Sequence, residues 1–344
     1  MMLELLGSLF KLYKDNLVLL LFSIIIGIIV TTYFEDYEIK LLMPIRNLIV
    51  IGRLKDSSNE DIFVRYYKHA KGISPVHLIL PIRMAVLKIL EGKYRDSIDN
   101  ANDFERILRL ANYFIENAEK HYYESLRFYI WSYNFDWPTY NLKAPWVSGM
   151  AQGFVIELML AAYKLTREDK YLETARFAAN AMAVPTECGG VAVNVDGGLW
   201  FEEYAKPTIN PSYVLNGHNF ALNGLWHLSQ VDNRYYELFK KGVDGLRYLL
   251  PYFDAKVWSR YDLTGMLANR KYHKIHIMQL QSLYERTKDK IFKRYAQKFK
   301  QQLYLPFTAL YRIIMSPNRF LVLLFFVNFA LTFVILSILL KGMF

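Results

Sequence analysis

The chain has 344 residues, is 53% hydrophobic and 16% aromatic, and carries a net charge of +10; that is enough apolar material for a sizeable core together with membrane segments. Its single cysteine, Cys188, excludes an internal disulfide and a thiolate zinc site. The positive charge suits anionic lipid or an acidic polysaccharide, and with no nucleic-acid-binding motif in the chain, nucleic acid is not expected as a partner.

Residues 1–16 carry Lys11 and Lys14 and precede LVLLLFSIIIGIIVTTY (17–33), an uncharged stretch at the short limit for a membrane span. No small-residue cleavage site follows, because Phe34, Glu35 and Asp36 come next, so the segment is expected to be a retained signal anchor. Lysines before it and acids after it place the N-terminus in the cytoplasm and the remainder outside, extracellular or lumenal. Residues 34–74 are expected to be a linker with a small β region, with EIKLLMPIRNLIVIGRLK (38–55) as a short strand pair.

Apolar residues then recur at three and four in 78–93, 101–122 and 147–165, predicting helices. Three segments share one design: LAAYKLTREDKYLETARF (160–177), LWHLSQVDNRYYELFKKG (225–242) and LQSLYERTKDKIFKRYAQ (280–297). Each ends an apolar helix, passes a polar turn and restarts, with Asp169, Asn233 and Asp289 as expected N-caps. Recurring helix pairs bury their apolar faces by stacking on neighbours, which predicts an α/α toroid over residues 75–305. CGGVAVNVDGGLWFEEY (188–204) breaks the pattern with alternating valines and a Gly197–Gly198 turn, and reads as a β-hairpin inserted among the helices. The run 286–300 holds seven basic residues against one acid, and residues 320–340 form a second apolar span that tethers the other end of the chain.

Chemistry-bearing residues cluster in the turns. His273 and His276 share a helix face but lack a third ligand at metal-binding spacing, and the hydrolytic HExxH pattern is absent, so no metal is expected. Tyrosines offer another route, provided that cations favour the phenolate. Tyr272 has Arg270, Lys271, His273 and His276 nearby in sequence, Tyr261 has Arg260, and Tyr204 has Lys206 beside Glu202 and Glu203.

Five motifs in order make the chain resemble the C-terminal catalytic domain of the D-glucuronyl C5-epimerases of heparan sulfate and heparosan biosynthesis. They are YNFDWPTYNLKAPWVSGMAQG (133–153), CGGVAVNVDGGLWFEEY (188–204), NPSYVLNGHNFALNGLWHL (210–228), WSRYDL (258–263) and YHKIHIMQLQSL (272–283). The resemblance implies an α/α toroid with added β structure and a catalytic domain on the extracytoplasmic side of the membrane. It also implies inversion of C5 in a hexuronic acid within an acidic polysaccharide, without a cofactor. By that resemblance Tyr204, Tyr261 and Tyr272 are the catalytic tyrosines, with Tyr261 and Tyr272 nearest the chemistry on opposite faces. Glu203 assists proton transfer or binds substrate, Arg270 and His276 hold the substrate carboxylate, and Asn216, Gln152 and Trp146 are expected at the sugar. The chain departs from the family after YDL, where Thr264 and Gly265 stand in place of the usual arginine and histidine. A homodimer stays open. Two competing readings remain: a uronan lyase on the same toroid, which shares proton removal at C5, and a non-catalytic glycan-binding protein of an envelope. A hydrolase needs two carboxylates across the glycosidic bond, which the adjacent Glu202 and Glu203 do not supply.

Overall fold

The computed structural model describes residues 2–51, 65–67, 70–93 and 98–342. The chain divides into two compact units, one comprising Met1–Lys55, Asp254–Ser259 and Gly265–Phe344, the other Asp56–Phe253 and Arg260–Thr264. The range 75–305, expected as one domain, is therefore shared between them.

The first unit begins with α1, which runs unbroken from Met2 to Ile51. The strand pair expected at 38–55 is thus not there. Residues 34–43 contain neither glycine nor proline, and a helix already nucleated by the apolar segment extends through them one hydrogen bond per residue.

The second unit opens with a short hairpin, β1 (Arg65–Tyr67) paired antiparallel with β2 (Ala70–Gly72). The periodic segment at 78–93 is broken by Pro81 into α2 (Pro75–Ile79) and α3 (Arg83–Leu90). Helix α4 (Ile98–Glu116) stops short of the expected end, because residues 119–123 form β3 (Glu119–Tyr123) against β4 (Leu126–Ile130). At the centre lies α5 (Gly149–Thr166), whose residues Ala151 to Ala162 are all buried. A helix apolar on every face has to be surrounded, and α3, α4, α6 (Asp169–Asn180) and α7 (Leu215–Ser229) all pack against it. Glu157 is the one acid in that buried stretch. Arg83 grips it with two bonds of 2.7 and 2.9 Å, Asn223 donates to it, and the guanidinium lies 4.3 Å from the Phe154 ring centroid. Close approach of α5 and α7 depends on Gly153, where a Cβ would fall 2.4 Å from the Phe220 carbonyl oxygen.

Strands β5 (Ala192–Val195) and β6 (Gly198–Phe201) form the expected hairpin, with Val195 opposite Gly198. Its two-residue turn is therefore Asp196–Gly197, one step earlier than the Gly197–Gly198 expected. Helix α8 (Tyr236–Leu249) closes the unit against β6 and α7.

Back in the first unit, α9 (Arg270–Thr287) and α10 (Lys290–Gln302) pair, followed by α11 (Thr308–Met315) and α12 (Arg319–Gly342). The repeat seen in the sequence is a repeat of turn chemistry. Arg167 after α5 and Lys288 after α9 both adopt left-handed backbone and donate their N–H to Tyr163 and Tyr284 at 2.8 Å. In both turns a threonine, Thr166 or Thr287, bonds back to the carbonyl four residues earlier and accepts the N–H two residues later. Asp289 caps α10 by accepting from Ile291 N–H at 3.0 Å. The other two expected caps are displaced by one: Asp232, not Asn233, accepts from Arg234 N–H, and Glu168 precedes α6 without a side-chain cap.

Windows Leu17–Leu41 of α1 and Arg319–Leu340 of α12 are long and apolar enough to cross a membrane, and the two helices pack together. Asn328 donates to Thr31 Oγ1 at 3.0 Å and to Glu38 Oε1 at 2.8 Å. Buried Arg312 holds Glu35 through two bonds of 2.6 and 2.9 Å.

Candidate functional site

The second unit gathers a tyrosine–carboxylate cluster around the end of β6. Hairpin β5–β6 delivers Glu202, Glu203 and Tyr204 just past Phe201, all of them buried. Glu202 acts as a clamp: its carboxylate accepts from the Ser212 hydroxyl, from Tyr213 N–H at 3.0 Å and from Tyr204 N–H at 3.4 Å. Tyr213 adopts φ +54°, a strained value for an aromatic residue, and leads into α7. Backbone bonds tie the YDL loop to the same place, with Leu215 N–H to Tyr261 O at 3.0 Å and Leu263 N–H to Ser212 O at 3.1 Å.

The Tyr204 phenol lies beside both Tyr261 and the Glu203 carboxyl, and each of them acts on its pKa. Tyr140 lies 4.8 Å from the Tyr204 ring centre and donates to Asp262 Oδ2 at 2.6 Å. Trp137 stacks nearly parallel to Tyr204 at 6.0 Å, at an angle of 8°. Burial pushes the Glu203 carboxyl up to about 8, the neighbouring Glu202 charge adding to it against the Tyr204 hydrogen bond. Burial and the Glu203 charge together push the Tyr204 phenol well above its ordinary value. Tyr140 is likewise pushed up, first by burial and then by its bond to Asp262. The expectation that cations would favour phenolate is not met here, since the surroundings of Tyr204 are apolar and acidic. The group poised to change protonation near neutral pH is Glu203.

Space for that carboxyl comes from Gly217: a Cβ there would lie 2.1 Å from Glu203 Oε2. This is the physical content of the glycine in VLNG. Glu203 Oε2 has no hydrogen-bond partner among the described residues, nor do the amide atoms of buried Asn219. Asn216 is buried one residue before Gly217, at the start of α7.

Two residues expected at the sugar have structural duties. Gln152 donates to Tyr129 O at 2.7 Å and Ala178 O at 3.0 Å, tying α5 to β4 and α6. Trp146 is buried, stacks on Tyr133 at 3.9 Å and donates to Phe135 O at 2.8 Å, so it backs Tyr204 at 5.5 Å as a wall.

The first unit holds the remaining predicted residues. Tyr272 sits in the first turn of α9, where Asn269 Oδ1 accepts its backbone N–H at 2.9 Å. Arg270 is engaged with Asp36 Oδ2 and Thr32 O, both at 3.0 Å, so its guanidinium serves α1 rather than standing ready for a substrate carboxylate. His276 is fully buried, shares the Ser259 hydroxyl with His273, and has no partner at Nε2 among the described residues. Burial holds its pKa well below the ordinary value, and His273 is lowered to about 3 for the same reason. Both rings are neutral at pH 7, so neither supplies the positive charge expected of His276. His273 stacks on Trp258 at 3.8 Å and bonds to Phe299 O, which makes it a core residue. Sequence spacing alone could not foresee that both α9 histidines point inward.

The family model described as D-glucuronyl C5-epimerase C-terminus matches residues 124–301, just over half of the chain. A D-glucuronyl C5-epimerase of Caenorhabditis elegans is 32% identical over 179 residues, which is 46% of this chain and 29% of that protein. An uncharacterised protein of Methanocaldococcus jannaschii is 29% identical over 310 residues, covering 78% of this chain and 99% of that one. Among solved structures, an α-mannanase of Bacteroides thetaiotaomicron aligns with a TM-score of 0.44 at 14% identity, over 70% of this chain and 65% of that one. A D-mannose isomerase aligns with a TM-score of 0.45 at 12% identity, over 81% and 75%. The matched range contains Glu203, Tyr204, Gly217 and Tyr261, and the chain belongs to the family of the D-glucuronyl C5-epimerase C-terminal domain.

Proposed function

We propose that the protein is a membrane-anchored uronate C5-epimerase acting on glucuronate-type residues of an acidic polysaccharide. The observation that carries the reading is the buried cluster of Tyr261, Tyr204 and Glu203, in which the carboxyl's pKa is pushed up to about 8. C5–H of a uronate is acidified only by the adjacent carboxylate, so removing it needs a positioned base and donors that stabilise the enolate-like intermediate. Ionised Glu203 accepts a proton relayed through Tyr204 from Tyr261, leaving Tyr261 competent to take the C5 proton. For the opposite face the family pattern offers Tyr272, an assignment that stands or falls on the Tyr272→Phe variant. No cofactor enters these steps.

An α/α toroid belongs to the same reading, supported by the repeated turn chemistry after α5 and α9. So does an anchor at each end, with the catalytic region on the extracytoplasmic side. The basic Arg312 and Arg319 at the start of the second span oppose that orientation, and the first span is taken to set it.

The test is solvent exchange at C5. The detergent-solubilised full chain is incubated with glucuronate polymers in D2O, and C5 deuterium and product configuration are read by NMR. Deuterium at C5 in intact chains with inverted residues is the expected result. Unsaturated chain ends would establish a lyase instead, and absence of exchange on every uronan would leave a glycan-binding protein.

A further inference from the structure

A cavity of about 400 Å³ opens in the second unit beside the YDL loop, lined by Tyr248, Leu249, Tyr252, Arg260 and Leu263. This volume lies in the range of about 300–1,000 Å³ typical of small-molecule sites. Two features make it unlike an ordinary surface hollow. Tyr248 and Tyr252 expose 44% and 57% of their surface, with ring centres 6.4 Å apart, so two aromatic rings stand open at its rim. Arg260 is only half-exposed, yet no acceptor among the described residues hydrogen-bonds its guanidinium, although arginines 83, 176, 234, 270 and 312 all hold carboxylates. A part-buried guanidinium without a counter-ion, beside exposed aromatic rings, is matched by a planar anion on an apolar ring body.

The loop geometry gives this cavity a purpose. Arg260 N–H bonds to Phe253 O at 2.8 Å and the following residue, Tyr261, bonds through its carbonyl to Leu215 N–H, so both residues are fixed on one rigid loop. Consecutive Cα atoms are about 3.8 Å apart, so the cavity residue Arg260 and Tyr261 are immediate neighbours along that loop.

We infer that the Arg260–Tyr248–Tyr252 cavity is an accessory subsite that binds the carboxylate of a second uronate on the same polysaccharide chain, with a sugar ring stacked on the tyrosines. The inference rests on the uronate reading above and names the group that holds the chain in register. Remote binding of this kind positions the reacting sugar without touching it. It also gives a use to Arg260 in a loop where Thr264 and Gly265 replace the family's arginine and histidine.

Binding of a glucuronate-containing hexasaccharide to the detergent-solubilised full chain tests it, compared with the same hexasaccharide after its carboxyl groups are reduced to hydroxymethyl. For Arg260→Gln, affinity for the charged hexasaccharide is expected to fall about tenfold or more, the scale of a charge-assisted hydrogen bond. Affinity for the reduced one should be unchanged. Arg260→Lys should recover part of the loss, and Tyr252→Ala should weaken binding of both ligands. Circular dichroism establishes that each variant is folded. Equal affinity of wild type and Arg260→Gln for the charged ligand, or an equal loss for both ligands, overturns the subsite. If the wild type exchanges no C5 proton but binds with Arg260 dependence, the epimerase reading fails and the subsite stands.

Discussion

The Tyr261–Tyr204–Glu203 cluster sets two phenols beside one carboxyl whose pKa is pushed up to about 8. Replacing Tyr261 with Phe keeps the ring and removes only the proton carrier. C5 exchange is expected to fall by about 10²–10⁴-fold, the usual worth of a general acid or base, while the affinity for uronate oligosaccharide stays within a few-fold. An equal loss of both would mark Tyr261 as structural. Glu203 makes a prediction through pH. Its folded pKa of about 8 lies above the ordinary 4.5, so between those values the folded state holds a proton that the unfolded chain has released. Stability therefore declines as pH rises through that window and is lowest above it. Glu203→Gln should flatten the decline in Tm between pH 6 and 8. The same substitution should abolish the rise in exchange rate as Glu203 ionises. Buried His218, lowered to about 3, works in the opposite sense: its contribution is complete above 6.5 and is lost as pH falls from there toward 3, giving an acid limb that Glu203→Gln leaves in place.

Helix α7 carries Asn216, Gly217 and Asn219 past the carboxyl, and hairpin β5–β6 sets the height of Glu203. Gly217→Ala would drive a methyl to 2.1 Å from Glu203 Oε2, so one of the two must move. Overpacking of this kind costs about 1–3 kcal/mol, and activity is expected to drop further than stability, measured as C5 exchange against the denaturant midpoint. Gln152 provides the contrast. Its amide satisfies two carbonyls in two different elements, and Gln152→Ala leaves both unpaired. Stability should fall by about 1–3 kcal/mol for an orphaned buried acceptor, with KM unchanged in what remains folded. A selective rise in KM would restore Gln152 to the sugar site.

In the first unit, charged groups fasten α1 around residues 35 and 36. Glu35 meets Arg312, and Asp36 meets Arg270 and Lys274. Arg312 and Glu35 are nearly fully buried, so removing one partner strands a charge, at a cost of about 3–5 kcal/mol. Glu35→Ala or Arg312→Ala alone should lower the Tm of the detergent-solubilised protein strongly. The double replacement Glu35→Gln/Arg312→Met should recover most of the loss. A double variant as unstable as the singles would mean that the pair contributes net attraction beyond its own desolvation.

Much of this was legible from residue order. The helix pairs followed from apolar spacing and polar turns, and the cap of α10 from Asp289, because a helix start must satisfy its first N–H groups locally. The β5–β6 hairpin followed from alternation and glycine, and the family from motifs that survive in order. What lay beyond reach depended on which face of an element is buried. Nothing in YHKIHIM marks His273 and His276 as core residues, neutral and turned inward; that follows from Trp258 and Phe299, which reach them only in the folded unit. Arg270 looks like a free cation until Asp36, 234 residues earlier, arrives beside it. The shift of Glu203 has the same origin. Its side chain is an ordinary glutamate in sequence, and only burial beside Glu202, in space left by Gly217, makes it a group that titrates near neutral pH. Local hydrogen bonds and periodicity are written along the chain, whereas desolvation and charge pairing are properties of neighbours that only folding brings together.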